Sequence, residues 1–125
     1  MTKRVQWIER PLHWVGSAKR DLLCFPDAVI NNFGYGLGAA QLGSKPLATK
    51  AWKGEGSGVF ELVEDFQGDT YRAVYTVRFV CAIYVLHCFQ KKSPSGIRTA
   101  RQDIRLIRER LKSAQADYEA RYGKN

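Results

Sequence analysis

The chain has 125 residues, 45% of them apolar and 12% aromatic, enough for one domain spanning 1–125 that folds on its own core without disulfides or metal. Its 20 Lys and Arg against 12 Asp and Glu leave a formal net charge of +8, which favours a polyanion because each phosphate contact releases condensed counterions; a basic surface kept for solubility is the bland alternative. The longest uncharged apolar run, Phe79 to Phe89, is too short to span a bilayer, no apolar segment follows Lys3 and Arg4 as in a signal peptide, and Cys24, Cys81, Cys88, His13 and His87 offer neither a disulfide framework nor zinc spacing.

These features point to a reducing cytoplasm, with no metal, no cofactor and no membrane partner. In chain order, Arg4 to Ile8 reads as a short first strand. Ser17 to about Phe25 suits a short helix with Leu22 and Leu23 facing inward. Pro26 and Asp27 suit the start of a second helix running to about Leu42. Its apolar positions Val29, Ile30, Phe33, Leu37 and Ala40 recur at three- and four-residue spacing, although Gly34, Gly36 and Gly38 weaken it. Gly43 to Gly58 reads as a loop-rich link, and Gly54-Glu-Gly-Ser-Gly58 as a turn, since it lacks the Lys-Ser/Thr of a phosphate loop.

Strands follow: Val59 to Val63, Tyr71 to Arg78 and Cys81 to Phe89. Gln67-Gly68-Asp69 is a hairpin turn between the first two. The other two are apolar on both parities, as in central strands covered on both faces. The connection near Phe79 and Val80 carries no Gly, Asn or Asp. Ser93-Pro94-Ser95-Gly96 ends the sheet, and Thr99 with Gln102 forms a capping box for a last helix. That helix sets Ile104, Ile107, Leu111, Ala114 and Tyr118 on one face, with Arg101, Arg105, Arg108 and Lys112 one position round.

The chemistry concentrates in Tyr71-Arg-Ala-Val-Tyr75 and in the strand leading to Lys91-Lys92. Strand alternation puts His87, Phe89 and Lys91 on one face and Lys92 on the other. With Arg72 or Tyr75 from the neighbouring strand, this set can hold a phosphate, stack a base and move a proton. Bland readings stand beside it. Arg72 can pair with Asp65 or Asp69 across the turn, His87 can be a buried, hydrogen-bonded histidine, the tyrosines can be core, and the lysines a solvated strand end.

The order strand, two helices, three strands, helix, with Gly58-Val-Phe-Glu-Leu62, Tyr71-Arg-Ala-Val-Tyr75, Leu86-His-Cys-Phe-Gln-Lys-Lys-Ser93 and Asp103-Ile-Arg-Leu-Ile107, resembles the RelE/HigB toxin superfamily. The closer likeness is to the HigB-like, phage-derived branch that includes Tad toxins, and it covers nearly the whole chain. The resemblance implies an α+β fold: a compact antiparallel sheet of about four strands, two N-terminal helices and one C-terminal helix, with helices on one side and a basic concave face. It implies the toxin of a type II toxin–antitoxin module, cutting mRNA on the ribosome without metal and bound by a helix-turn-helix antitoxin. Arg72 would then hold the scissile phosphate and Lys91 or Lys92 would stabilise developing charge. His87, Tyr75 or a lysine would accept the 2′-hydroxyl proton. RelE itself carries lysines on the strand before the Tyr-Arg motif. Here that stretch holds Glu61, Glu64 and Asp65, so Lys45, Lys50 or Lys53 from the preceding loop would substitute. Phe89 and the helix cations Arg101, Arg105, Arg108 and Lys112 would contact RNA, including ribosomal RNA. Two rivals remain: a non-catalytic RNA- or ribosome-binding module, and a phage protein-interaction domain whose basic face meets an acidic protein.

Overall fold

A computed structural model describes residues 8–91 and 100–125. The elements are β1 (Leu12–Trp14), α1 (Ala18–Leu23), α2 (Asp27–Gln41), β2 (Thr49–Ala51), β3 (Val59–Phe66), β4 (Asp69–Thr76), β5 (Ile83–Lys91) and α3 (Arg101–Tyr122). The strands form one sheet in the order β1-β5-β4-β3-β2. β1 runs parallel to β5 and the other pairs are antiparallel.

The α+β class therefore holds, with a correction. The sheet has five strands and is mixed, and its helices lie on both faces. Leu62, Tyr71, Ala73, Tyr75, Ile83, Val85 and Cys88 pack with Val29, Phe33 and Leu37 of α2 and Ala18 and Leu22 of α1. Val59, Val74, Tyr84, Leu86 and Phe89 pack with Ile107, Leu111, Ala114 and Tyr118 of α3. Strands β4 and β5 are thus covered twice, which is why they are apolar on both parities.

Of the expected first strand only Ile8 is described. Ile8 lies outside any strand, residues 4–7 are outside the described residues, and the edge strand is Leu12–Trp14. Three residues, entered from Pro11, are too few to show a period. A second edge, Thr49–Ala51, lies inside the expected loop and pairs with Leu62, Glu61 and Phe60. Leu23 is 58% exposed, because a six-residue helix buries one stripe and Leu22 fills it. The Ser93–Gly96 turn and Thr99 fall outside the described residues. Helix α3 starts from Ala100 with no side-chain cap.

The Gln67-Gly68 turn has φ of 50° and 85°, the paired left-handed geometry of a two-residue hairpin. The β4–β5 connection lacks such residues and takes its partners from α3 and the residues that follow it instead. Val80 donates its N–H to Asn125 Oδ1 at 2.9 Å and Cys81 to the Tyr118 hydroxyl at 3.1 Å, while Asn125 Nδ2 donates to the Arg78 carbonyl at 3.2 Å.

Of the three α2 glycines, one is structural. A Cβ on Gly36 would sit 3.0 Å from both Leu62 methyls, whereas Gly34 and Gly38 have open space. Gly34→Ala and Gly38→Ala should each stabilise the protein by about 0.5–1 kcal/mol through helix propensity. Gly36→Val should destabilise it by about 1–3 kcal/mol through overpacking. Urea unfolding midpoints will separate the two outcomes.

Candidate nucleic-acid interface

One residue organises the functional face. Pairing between β4 and β5 runs Thr76↔Tyr84 and Tyr75↔Val85, then jumps to Val74↔His87, Ala73↔Cys88 and Arg72↔Phe89. Leu86 is the extra residue of a β-bulge. Before it, Tyr84 and Leu86 face α3; after it, His87, Phe89 and Lys91 do. The extra backbone carbonyl has a dedicated partner. Arg110 of α3 donates Nη1 to the Leu86 carbonyl at 2.9 Å and to His87 Nδ1 at 3.3 Å, and Nη2 to Ser17 Oγ at 3.0 Å.

A guanidinium only donates, so His87 Nδ1 accepts and Nε2 carries the proton. That Nε2–H meets Asp103 Oδ1 at 2.7 Å. The imidazole is buried and stacks on Phe89, with centroids 4.8 Å apart and planes at 15°. As placed, His87 ties β5 to the first turns of α3 through both nitrogens.

The rest of this face is charged. Lys50 pairs in register with Glu61, and Glu61 with Val74. Arg72, opposite Val63 and Phe89, reaches diagonally to Glu61, with Nη1 to Oε2 at 3.3 Å. Its partner is thus Glu61 rather than the turn acids Asp65 or Asp69; Asp65 accepts from Thr70. Burial, the largest influence, raises the Glu61 carboxyl above its ordinary 4.5, while Arg72, Lys50 and Lys91 pull it down. Three cations therefore surround one buried carboxylate.

The other expected residues divide by position. Lys53 is exposed beyond β2. Lys45 sits 5.0 Å above the Phe60 ring, and Phe60 packs on the α1/α2 side. Tyr75 also lies on that side, 1% exposed, with its hydroxyl shifted up by burial. The fold therefore separates Lys45 and Tyr75 from Arg72 and His87. Lys92 is outside the described residues. Arg101, Arg105, Arg108 and Lys112 are all exposed on one flank of α3, and Arg108 bonds Glu55 after β2 at 2.8 Å. Among the described residues, no group of three or more His, Cys, Asp or Glu is placed to hold a metal ion, and no helix is long and apolar enough to cross a membrane.

A family described as phage-derived protein Gp49-like (DUF891) matches residues 20–112, most of the chain and every described residue of this face. The chain belongs to the Gp49-like family. The Gp49-like family is a RelE/HigB-like toxin family, so the coarser part of the resemblance holds. No curated protein and no solved structure matches the chain. Two residues of this face escaped sequence reasoning. Arg110 lies beside the apolar stripe of α3 on the flank opposite the basic row, and Glu61 stood out only as a departure from the lysines of RelE. Acid–base pairing between adjacent strands, two residues apart in register, was the signal available for Glu61; nothing in the sequence marks the bulge that Arg110 serves.

Two outcomes follow. Arg110→Met keeps the apolar stem but leaves the Leu86 carbonyl and His87 Nδ1 without their donor, which should cost about 1–3 kcal/mol in urea unfolding. Because Glu61 binds its proton more tightly folded than unfolded, its ionisation removes stability as pH rises from 4.5 through the raised value. Glu61→Gln lacks this loss. The wild-type urea midpoint should fall relative to that of the variant as pH rises from about 4 to about 7; a constant difference would remove the argument.

Proposed function

We propose that this Gp49-like protein is the toxin of a type II toxin–antitoxin module, of the phage-derived, Tad-like kind, and that it cleaves mRNA on the ribosome. The observation that carries the reading is the convergence of Arg72, Lys50 and Lys91 on one buried carboxylate, beside the stacked Phe89 and His87. A phosphodiester has the same single charge as Glu61 and two oxygens for the planar fork of a guanidinium. In the proposed cycle RNA phosphate replaces Glu61 as the anion held by Arg72, and Phe89 with Lys91 and Lys92 borders the scissile nucleotide.

The proposed nucleophile is the 2′-hydroxyl of the RNA. It attacks phosphorus, the bond to the 5′-oxygen breaks, and the products are a 2′,3′-cyclic phosphate and a 5′-hydroxyl that takes up a proton. Arg72 balances charge on the phosphorane. Tyr75 is sealed on the opposite face, which leaves His87 or a lysine to accept the 2′-hydroxyl proton. Arg101, Arg105, Arg108 and Lys112 would hold ribosomal RNA, and a helix-turn-helix antitoxin would cover the cationic face.

One observation favours a second reading. Both His87 nitrogens are engaged, by Arg110 and Asp103, so acting as a base requires one of these bonds to open. A non-catalytic module with the same face would block translation by occupancy alone.

Inducing the chain in bacteria should arrest protein synthesis, and co-expression of the antitoxin should restore it. Mapping mRNA 5′ ends should find 5′-hydroxyl termini. Arg72→Lys should lower cleavage on the order of 10²–10³-fold although charge is kept. Arrest without new ends would select the binding module, and 5′-phosphate ends would exclude the 2′-hydroxyl route. Normal protein synthesis at verified expression would remove both readings.

A further inference from the structure

The glycine-rich stretch Gly54–Gly58 wraps an arginine. Arg78, two residues past β4, donates Nε to the Ser57 carbonyl at 3.2 Å and Nη2 to the same carbonyl at 3.0 Å, with Nη2 also reaching the Glu55 carbonyl. Gly56 and Gly58 have φ of 83° and 81°, and a Cβ on either would meet the Arg78 side chain at 3.0 Å. Only glycine lets the loop close this tightly.

The collar fixes Glu55. Its side chain is 9% exposed and accepts Arg108 Nε at 2.8 Å, although the Arg108 side chain is 56% exposed. Around this pair lies an open cleft of about 360 Å³, lined by Glu55, Arg78, Arg108, Leu111, Lys112 and Gln115. Three cations face one carboxylate. Among the described residues, Arg78 Nη1 and the Lys112 ammonium make no hydrogen bond.

We propose that this cleft is a second phosphate seat, distinct from the Arg72 face, which takes a backbone phosphate of single-stranded RNA, and that Glu55 fills the seat until RNA displaces it. The exchange is charge-neutral, carboxylate for phosphodiester, and leaves the collar intact because the loop is held by backbone carbonyls. A polymer suits the cleft better than a free phosphate. Arg108 and Lys112 end an exposed row that begins at Arg101 and advances about 16 Å along the helix. That row lies on the flank of α3 turned towards the β2–β3 loop, while Arg110 marks the other flank at Ser17. The inference rests on the RNA reading of the chain but not on cleavage.

The test is anisotropy of a labelled single-stranded RNA with the full chain, across a salt series. Glu55→Gln should tighten binding by about two- to fivefold, the size of a surface ion-pair competitor. Arg108→Gln should weaken it and lower the salt slope by about one. In the double variant most of the Glu55 effect should vanish, because Arg108 is the side chain that the carboxylate holds. On an Arg72→Ala background the Glu55 effect should persist. Unchanged or weaker binding by Glu55→Gln, or a gain undiminished by loss of Arg108, overturns the seat. Arg108-dependent binding of inorganic phosphate alone at micromolar concentration reassigns the cleft to a free phosphate and overturns the RNA assignment. Binding insensitive to Glu55 and Arg108 removes only this seat, whereas a chain that binds no RNA in any form removes the functional reading as well.

Discussion

The surplus residue in β5 and the arginine that satisfies it determine what the functional face contains. Without Leu86 bulged out, strict alternation from Val85 would turn His87, Phe89 and Lys91 towards α1 and α2, into an apolar layer. The bulge delivers them to the α3 face instead, next to Arg72. Its cost is a displaced carbonyl, and Arg110 meets that carbonyl while also fixing the His87 tautomer and the entry to α1. A Cβ on Gly16 would lie 3.0 Å from the same guanidinium. One half-buried side chain thus sets the register of β5, the seating of α3 and the position of the loop after β1.

Helix α2 has no Lys or Arg in fifteen residues, whereas Arg101, Arg105, Arg108 and Lys112 line one flank of α3 and Lys50, Arg72 and Lys91 lie around Glu61 on the sheet face that α3 adjoins. Where cations gather, an acid sits among them: Glu61 with Arg72, Glu55 with Arg108. An array of guanidinium groups at close range repels itself and holds no fixed geometry. Internal carboxylates keep the donors aimed while nothing is bound, at the cost of competing with any incoming anion. The acidic β3 that departs from the RelE pattern is, in this light, part of how the Arg72 side chain is held.

The parts of the fold carried by strong local signals were legible in the sequence. The spacing of Val29, Phe33, Leu37 and Ala40, the α3 stripe from Ile107 to Tyr118, and the Gln67-Gly68 turn all correspond to observed elements. What escaped was non-local. Strands of three residues, Leu12–Trp14 and Thr49–Ala51, exist because a neighbour offers hydrogen bonds, not because their own residues alternate. The count of four strands and the one-sided helices failed for that reason and because parity cannot say which layer covers which face. At the site, alternation grouped His87, Phe89 and Lys91 as the structure does. It could not reveal that the odd positions of β5 change face midway; that Tyr75 lies across the sheet from Arg72 follows from the parity of β4 alone.

The β4–β5 connection has a kinetic meaning. Its polar groups are met by Tyr118 and Asn125, 37 to 47 positions later in the chain. A hairpin with a glycine-containing turn closes in microseconds using its own residues; this one has no such autonomy. This central strand pair therefore behaves in folding as a long-range element whose loop entropy is offset only when the last helix docks. Order of synthesis then matters: β4 and β5 leave the ribosome well before the residues that secure their junction. Until α3 arrives, the face that gathers Arg72, His87 and Lys91 is not assembled, and a partly made chain lacks the geometry on which the proposed chemistry depends.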